Sequence, residues 1–200
     1  ANGSEITGDD AAWGYYTFAS YDMMSEYERE DSLRRKATFM AYGDVYPEIN
    51  KANGGYLYEK ATDRCNVKKG VVGSTKDTDG KSSRMNSALN TYMIRLAEVY
   101  LNYAEAILGN NASTTDAKAL QYFNMVRARA YGVDVSETSA YPAVKMGSQE
   151  ELRKTVRIER RMEFAMENSR LQDLMRWKLA SKALNGYNYI MLQPDDLLKN

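Results

Sequence analysis

The sequence predicts a mainly α fold of antiparallel, tetratricopeptide-like helix pairs, preceded by an irregular, loop-rich and tyrosine-rich segment with a few short strands. Three observations carry this expectation. Leu89, Tyr92, Met93, Leu96, Tyr100, Tyr103, Ala104 and Ile107 recur at spacings of three and four, the period of a helix face. Helix stop and start signals then cut the second half of the chain into hairpins. Before about residue 86, by contrast, tyrosine, glycine and aspartate abound without a sustained helical period. The expected organisation is a loop-rich segment over residues 1–86, carrying the candidate ligand surface, and a helical region over 87–200, together forming one structural unit.

In the first segment, residues 21–27 read as a short helix and residues 31–35 as a capped turn. Residues 37–43 read as a strand closed by Gly43. Residues 66–86, with Gly70 and Gly73, read as an extended loop. The stretch Asp77-Thr78-Asp79-Gly80 invites a calcium loop but fails that template, because the glycine comes too early and no glutamate closes the loop at its twelfth position. A surface turn is the better reading. The glycines around Gly70 and Gly80 lack the strand before and helix after that a phosphate cradle needs.

The helix over 89–107 shows only Arg95, Glu98, Asn102 and Glu105 on its polar stripe, which implies burial on most sides and makes Tyr92, Tyr100 and Tyr103 core residues. Gly109 stops it. Residues 113–116 cap the next helix, whose apolar face of Ala119, Leu120, Phe123 and Val126 runs to Gly132. Ala119 followed by Phe123 echoes the second helix of a tetratricopeptide repeat, with a longer connecting loop. Ser148 and Glu151 form a capping box for the following helix, and Leu171, Leu174, Met175 and Trp177 belong to a shorter one. The tail over 185–200 reads as a loop.

Composition removes whole classes of chemistry. With 27% charged and 44% apolar residues the chain is globular, and its formal net charge of zero offers no field for nucleic acid or an anionic membrane surface. There is no histidine, which removes the commonest general base, the usual triads and nearly every catalytic zinc arrangement. The single cysteine, Cys65, forms no internal disulfide and no cysteine metal cluster. No apolar run approaches the roughly 18 residues of a membrane span, and the first residues lack a secretory pattern. Neither metal nor cofactor is expected.

Two glutamates, Glu159 and Glu163, stand out against this background. Winding the segment at about 100° per residue puts them on one stripe with Leu152, Thr155, Val156, Met162 and Met166. Arg153, Lys154, Arg157, Arg160 and Arg161 fall opposite. Buried carboxylates without cations cost too much to keep. Either they carry out acid–base chemistry on a sugar, as in glycosidases, or arginines neutralise them. Residues four apart on one helix set their carboxyls side by side instead of across a cleft, which disfavours catalysis. Arg170 and Arg176 follow directly, and Arg95, Arg127 and Arg129 lie on earlier helices. The expectation is a structural ion-pair network of Glu159, Glu163, Arg170 and Arg176, and no enzyme.

A ligand surface is sought in the first 60 residues, which hold eight of the sixteen tyrosines together with Trp13. A non-helical segment cannot bury all of these rings, and flat aromatic faces stack on the C–H face of a sugar. Trp13, Tyr15 and Tyr16 form the leading platform, with Tyr46, Tyr56 and Tyr58 as weaker candidates. The competing role for these rings is to roof the helices.

Four phrases carry a resemblance: residues 92–106 (Tyr-Met-Ile-Arg-Leu-Ala-Glu and onward), 123–130, 158–164 and 170–177. In this order they resemble the SusD/RagB family of outer-membrane lipoproteins, as does the arginine-rich stretch 33–39. The resemblance covers most of this chain but only the C-terminal part of a typical member, so a longer protein with an N-terminal helical-repeat region and a lipid-modified cysteine is expected. Neither feature is present here, and Cys65 is internal. The resemblance implies capture of oligosaccharides or other nutrients at the extracellular face of the outer membrane, for a TonB-dependent SusC-type transporter. Membrane attachment would come only through a lipid anchor absent from this chain. The matched phrases are packing motifs and point to no ligand residue. An alternative reading is a helical-repeat interaction module that binds a peptide or partner protein between its helix pairs.

Overall fold

The structure is a computed structural model that describes residues 6, 18–59, 65–83, 86–110, 116–145 and 147–185. In chain order these form α1 (Tyr21–Met24), α2 (Ser32–Thr38), β1 (Phe39–Met40), β2 (Val45–Tyr46), β3 (Tyr56–Leu57), β4 (Asn66–Val67), α3 (Leu96–Asn110), α4 (Ala117–Tyr131), α5 (Gln149–Glu163), α6 (Arg170–Arg176) and α7 (Ala180–Leu184). The architecture is mainly helical, as the sequence predicts. No helix among the described residues is long and apolar enough to cross a membrane.

The chain divides into two compact units: the described residues of Ala1–Ser25 and Arg35–Thr91 in one, and of Glu26–Arg34 and Tyr92–Tyr187 in the other. The first unit holds two antiparallel ribbons. In one, Phe39 pairs with Val67 and Met40 with Asn66; in the other, Val45 pairs with Leu57 and Tyr46 with Tyr56. Strand alternation decides which rings go inside: Val45 and Leu57 face out, while Tyr46 and Tyr56 turn in to join Ile6, Met40, Ile49 and Tyr58. The strand expected over 37–43 is shorter, because α2 extends through Thr38 and Gly43 takes a left-handed turn after β1.

Asp44 stitches this unit. It accepts the Ala41 N–H at 2.7 Å, the Tyr46 hydroxyl at 2.9 Å and Arg35 Nη2 at 3.0 Å. Asp77 does the same for the turn that invited a calcium reading, accepting the backbone N–H of Lys51 and of Ser74, each at 2.8 Å, and the Ser74 hydroxyl at 2.9 Å. Its carboxylate is therefore spent on donors. Among the described residues no cluster of acidic or cysteine side chains is arranged for a metal ion.

In the second unit α3 packs against α4 and α5. Ala97, Leu101, Ala104 and Leu108 of α3 meet Ala119, Phe123 and Val126 of α4 and Leu152 and Val156 of α5, each large aliphatic or aromatic side chain contributing about 1.5–3 kcal/mol on burial. Asp116 caps α4 by accepting the Ala119 N–H at 2.7 Å. Gly132 ends it at φ 71°, donating to the carbonyls of Ala128 and Arg129. A β-carbon there would stand 2.5 Å from Leu33 Cδ1. The capping box of Ser148 and Glu151 opens α5.

Helix α3 starts at Leu96, seven residues later than the apolar spacing predicts. The Arg95 carbonyl accepts the Glu98 and Val99 N–H groups at 2.9 and 3.3 Å, and the Arg95 side chain is drawn toward the end of α5. Tyr92, expected in the core, is consequently 70% exposed.

Candidate functional site

The centre of the helical unit is ionic. Leu152, Val156, Glu159, Met162 and Glu163 all lie on the buried side of α5, so its amphipathic winding carries both carboxylates inward with the apolar stripe. Glu159 is fully buried and Glu163 only 3% exposed. Glu159 accepts Arg34 Nη1 at 2.6 Å and Arg127 Nε at 2.8 Å. Glu163 accepts Arg95 Nη1 at 2.5 Å and Arg129, with Arg34 Nη1 at 3.5 Å between the two glutamates. Arg34 is itself fixed by Asp31, whose Oδ2 accepts its Nε at 2.9 Å. Arg95 turns its other nitrogens to Glu167 and to the Glu163 carbonyl.

Four guanidinium groups thus face Glu159, Glu163, Asp31 and Glu167, and the charges balance. Burial would raise the Glu163 pKa, but Arg129 and Arg95 outweigh it and hold the carboxyl below its ordinary value. Burial dominates at Asp31, whose pKa is raised despite Arg34. Burial likewise works against the Arg34 charge, yet Glu159 and Asp31 push its pKa up. Glu163 is thus favoured in its charged form by the arginines around it. The arrangement ties α5 to α2, to α4 and to the approach to α3 through ion pairs.

A second cluster lies beside the first. Arg160, placed on the outward face by sequence winding, is instead 4% exposed. It donates to Asp173 at 2.9 Å and to Asn102 at 2.7 Å, because α6 covers that side of α5. Arg176 joins this cluster and not the glutamate pair: it donates to Asp173 at 2.8 Å and clasps Glu105 at 2.6 and 2.7 Å. Glu105 also accepts the Trp177 indole N–H at 2.6 Å. Arg170 stands over the Trp177 ring at 5.9 Å.

The sequence-predicted ligand residues separate. Trp13, Tyr15 and Tyr16 lie outside the described residues. Tyr46, Tyr56 and Tyr58 are buried in the core of the first unit, Tyr46 and Tyr56 turned inward by their strand positions, and they present no ring face to a ligand in this structure. Arg34 is the partner that sequence reading missed. Its local signal was there: an aspartate three residues before an arginine at the start of a helix, next to Leu33. Cys65 is buried, and burial pushes its thiol up to about 12, so it is an unreactive core residue.

Helix hairpins clamped by an arginine–carboxylate network define a helical scaffold in which the inward glutamates of α5 are paired with arginines. Comparison with known proteins gives the family: a SusD family model matches residues 1–195, and the chain belongs to that family. A SusD-like protein of Bacteroides ovatus is 43% identical over 188 residues, covering 92% of this chain but 32% of the relative. A SusD-like protein of Formosa agariphila is 33% identical over 114 residues, 57% of this chain and 20% of the relative. Among solved structures, one determined with xylogluco-oligosaccharide superposes with a TM-score of 0.74 at 38% identity, covering 92% of this chain and 34% of that one. A SusD homologue from Bacteroides thetaiotaomicron, at 22% identity, a TM-score of 0.51 and coverage of 90% and 38%, shares the fold. The chain spans about a third of the length of the first of these relatives.

Proposed function

We propose that the chain is part of a non-catalytic, surface-exposed protein that captures oligosaccharides and delivers them to a TonB-dependent SusC-type transporter. The observation that carries this reading is the structure solved with xylogluco-oligosaccharide, which is similar to this chain over 92% of its length. The buried charge network supports it, since the most conspicuous carboxylates are consumed by arginines. By family analogy the protein would stand on the extracellular face of the outer membrane, anchored by a lipid. Trp13, Tyr15 and Tyr16 are the proposed stacking platform, because Tyr46, Tyr56 and Tyr58 are committed to the core.

The test is a titration of this chain and of a Trp13→Ala variant with a panel of soluble oligosaccharides, xylogluco-oligosaccharides included, read by tryptophan fluorescence and by calorimetry. Saturable binding that the variant loses supports both the function and the platform. Binding that the variant keeps moves the site elsewhere. A folded chain that binds no member of the panel contradicts glycan capture by this part of the protein.

A further inference from the structure

Successive arginines of α5 are met in different ways. Arg161 pairs with Glu26 at 2.7 Å, and Arg160 with Asp173 at 2.9 Å. Arg157, one turn earlier, stands instead over the Trp177 ring, 5.4 Å from its centroid. Arg176 and Arg170 approach the same ring at 4.6 and 5.9 Å, so three guanidinium groups converge on one indole. The nearby carboxylates are already engaged: Asp173 accepts Arg160 and Arg176, while Glu105 accepts Arg176 and the Trp177 indole N–H. On α5 itself, Glu151 closes the capping box and Glu150 stays in the first turn. Among the described residues no carboxylate pairs with Arg157.

Arg157 and Trp177 are both half-buried. An indole beneath a guanidinium stabilises the charge and fixes its place, but it engages only the flat face. The N–H donors around the edge are left for an oxygen acceptor. Arg153 and Lys154, exposed one turn earlier on α5, add positive potential around it. The ligand that suits such a group is an oxyanion, because two parallel N–H···O bonds match the geometry of a carboxylate or a sulfate. We propose that Arg157, held over Trp177, is an anion-binding residue that recognises the carboxylate or sulfate ester of a charged sugar. The sugar part of this inference rests on the glycan-capture reading above, whereas the anion part rests on α5 and Trp177 alone.

The test titrates the whole chain at low salt with oligogalacturonides, sulfated galacto-oligosaccharides and a neutral oligosaccharide of the same length. Binding is read by calorimetry and by the Trp177 indole N–H resonance; the chain has two tryptophans, and the resonance that persists in Trp13→Ala is that of Trp177. The expected result is saturable binding of one charged class with a shifted Trp177 resonance, weakened about tenfold or more by Arg157→Gln and weakened also by added salt. Arg157→Lys, which keeps the charge but not the planar fork, should fall between. Preference for galacturonides assigns the carboxylate, and preference for the sulfated sugars assigns the sulfate ester. Charged sugars bound no more tightly than neutral ones, or bound equally by Arg157→Gln, overturn the inference and leave glycan capture standing. Collapse of both Arg157 variants would make Arg157 a packing residue and overturns it too. A folded chain that binds no sugar of any class overturns both readings.

Discussion

The two units meet their inward carboxylates in different ways. In the first, short strands and turns bring donors close together: Asp77 collects two backbone N–H groups, and Asp44 takes one, with the Tyr46 hydroxyl and the nearby Arg35. In the second, helices satisfy their own backbones, so the buried carboxylates of α5 must be met by side chains from elsewhere: α2 and α3's approach each send one arginine and α4 sends two. The lesson concerns consequence. An aspartate that closes a turn is a local device, whereas a glutamate bridging segments more than a hundred residues apart ties a tertiary arrangement together.

The sharpest way to break this comparison is to remove one carboxylate from the helical unit. Glu159→Gln leaves Arg34 and Arg127 facing a neutral amide and should cost roughly 3–5 kcal/mol, read as a lowered midpoint in urea with an unchanged slope. In the first unit, Asp77→Ala removes a turn-closing acceptor and should cost about 1–2 kcal/mol; a loss as large as that of Glu159→Gln would erase the distinction. Gly132→Ala forces an alanine into a left-handed turn against Leu33 and should cost about 1–3 kcal/mol, with Leu33→Ala relieving the steric part.

Acid sharpens the comparison further. Glu163, Glu105 and Asp44 are depressed in the folded chain, so each contributes stability above its unfolded value that is lost as pH falls through the folded one. For Glu163 that window lies below 4.5, its ordinary value. Burial works to raise the Asp77 pKa, but the Ser74 and Lys51 N–H groups bring it down to about 2, so its turn should be among the last features to titrate. Asp31 is raised and acts in the opposite sense, costing stability as it ionises. The expected outcome is a melting temperature that falls below pH 4.5, followed by circular dichroism, with Glu163→Gln flattening the fall. The smallest effect expected is at Cys65, whose thiol should react slowly with thiol reagents at pH 8 in the native chain and at once in denaturant.

Much of the helical unit was legible in the sequence because its signals are local. The capping box at Ser148, the cap at Asp116 and the stop at Gly132 lie where side-chain chemistry dictates, and the inward turn of Glu159 and Glu163 follows from helical winding. What was not legible was non-local. Nothing within a few residues of Glu159 names Arg34, 125 residues away, as its partner. Arg160 was read as solvent-facing because winding one helix cannot show that α6 covers it. Apolar spacing placed Tyr92 in the core, yet the helix begins only after Arg95 is drawn to Glu163 and Glu167. The inward turn of Tyr46 and Tyr56 was not legible for a related reason: in two-residue strands, alternation is too short to tell which face turns inward until the ribbon partners are known.

The central claim is that the buried glutamates hold this scaffold together and do not act on a substrate. It is tested most directly by following urea unfolding of Glu159→Gln alongside hydrolysis of an oligosaccharide by the unaltered chain. The account predicts an unaltered chain that leaves the sugar intact and a variant destabilised by roughly 3–5 kcal/mol. A variant as stable as the unaltered chain, but lacking a hydrolytic activity that the unaltered chain possesses, would contradict it.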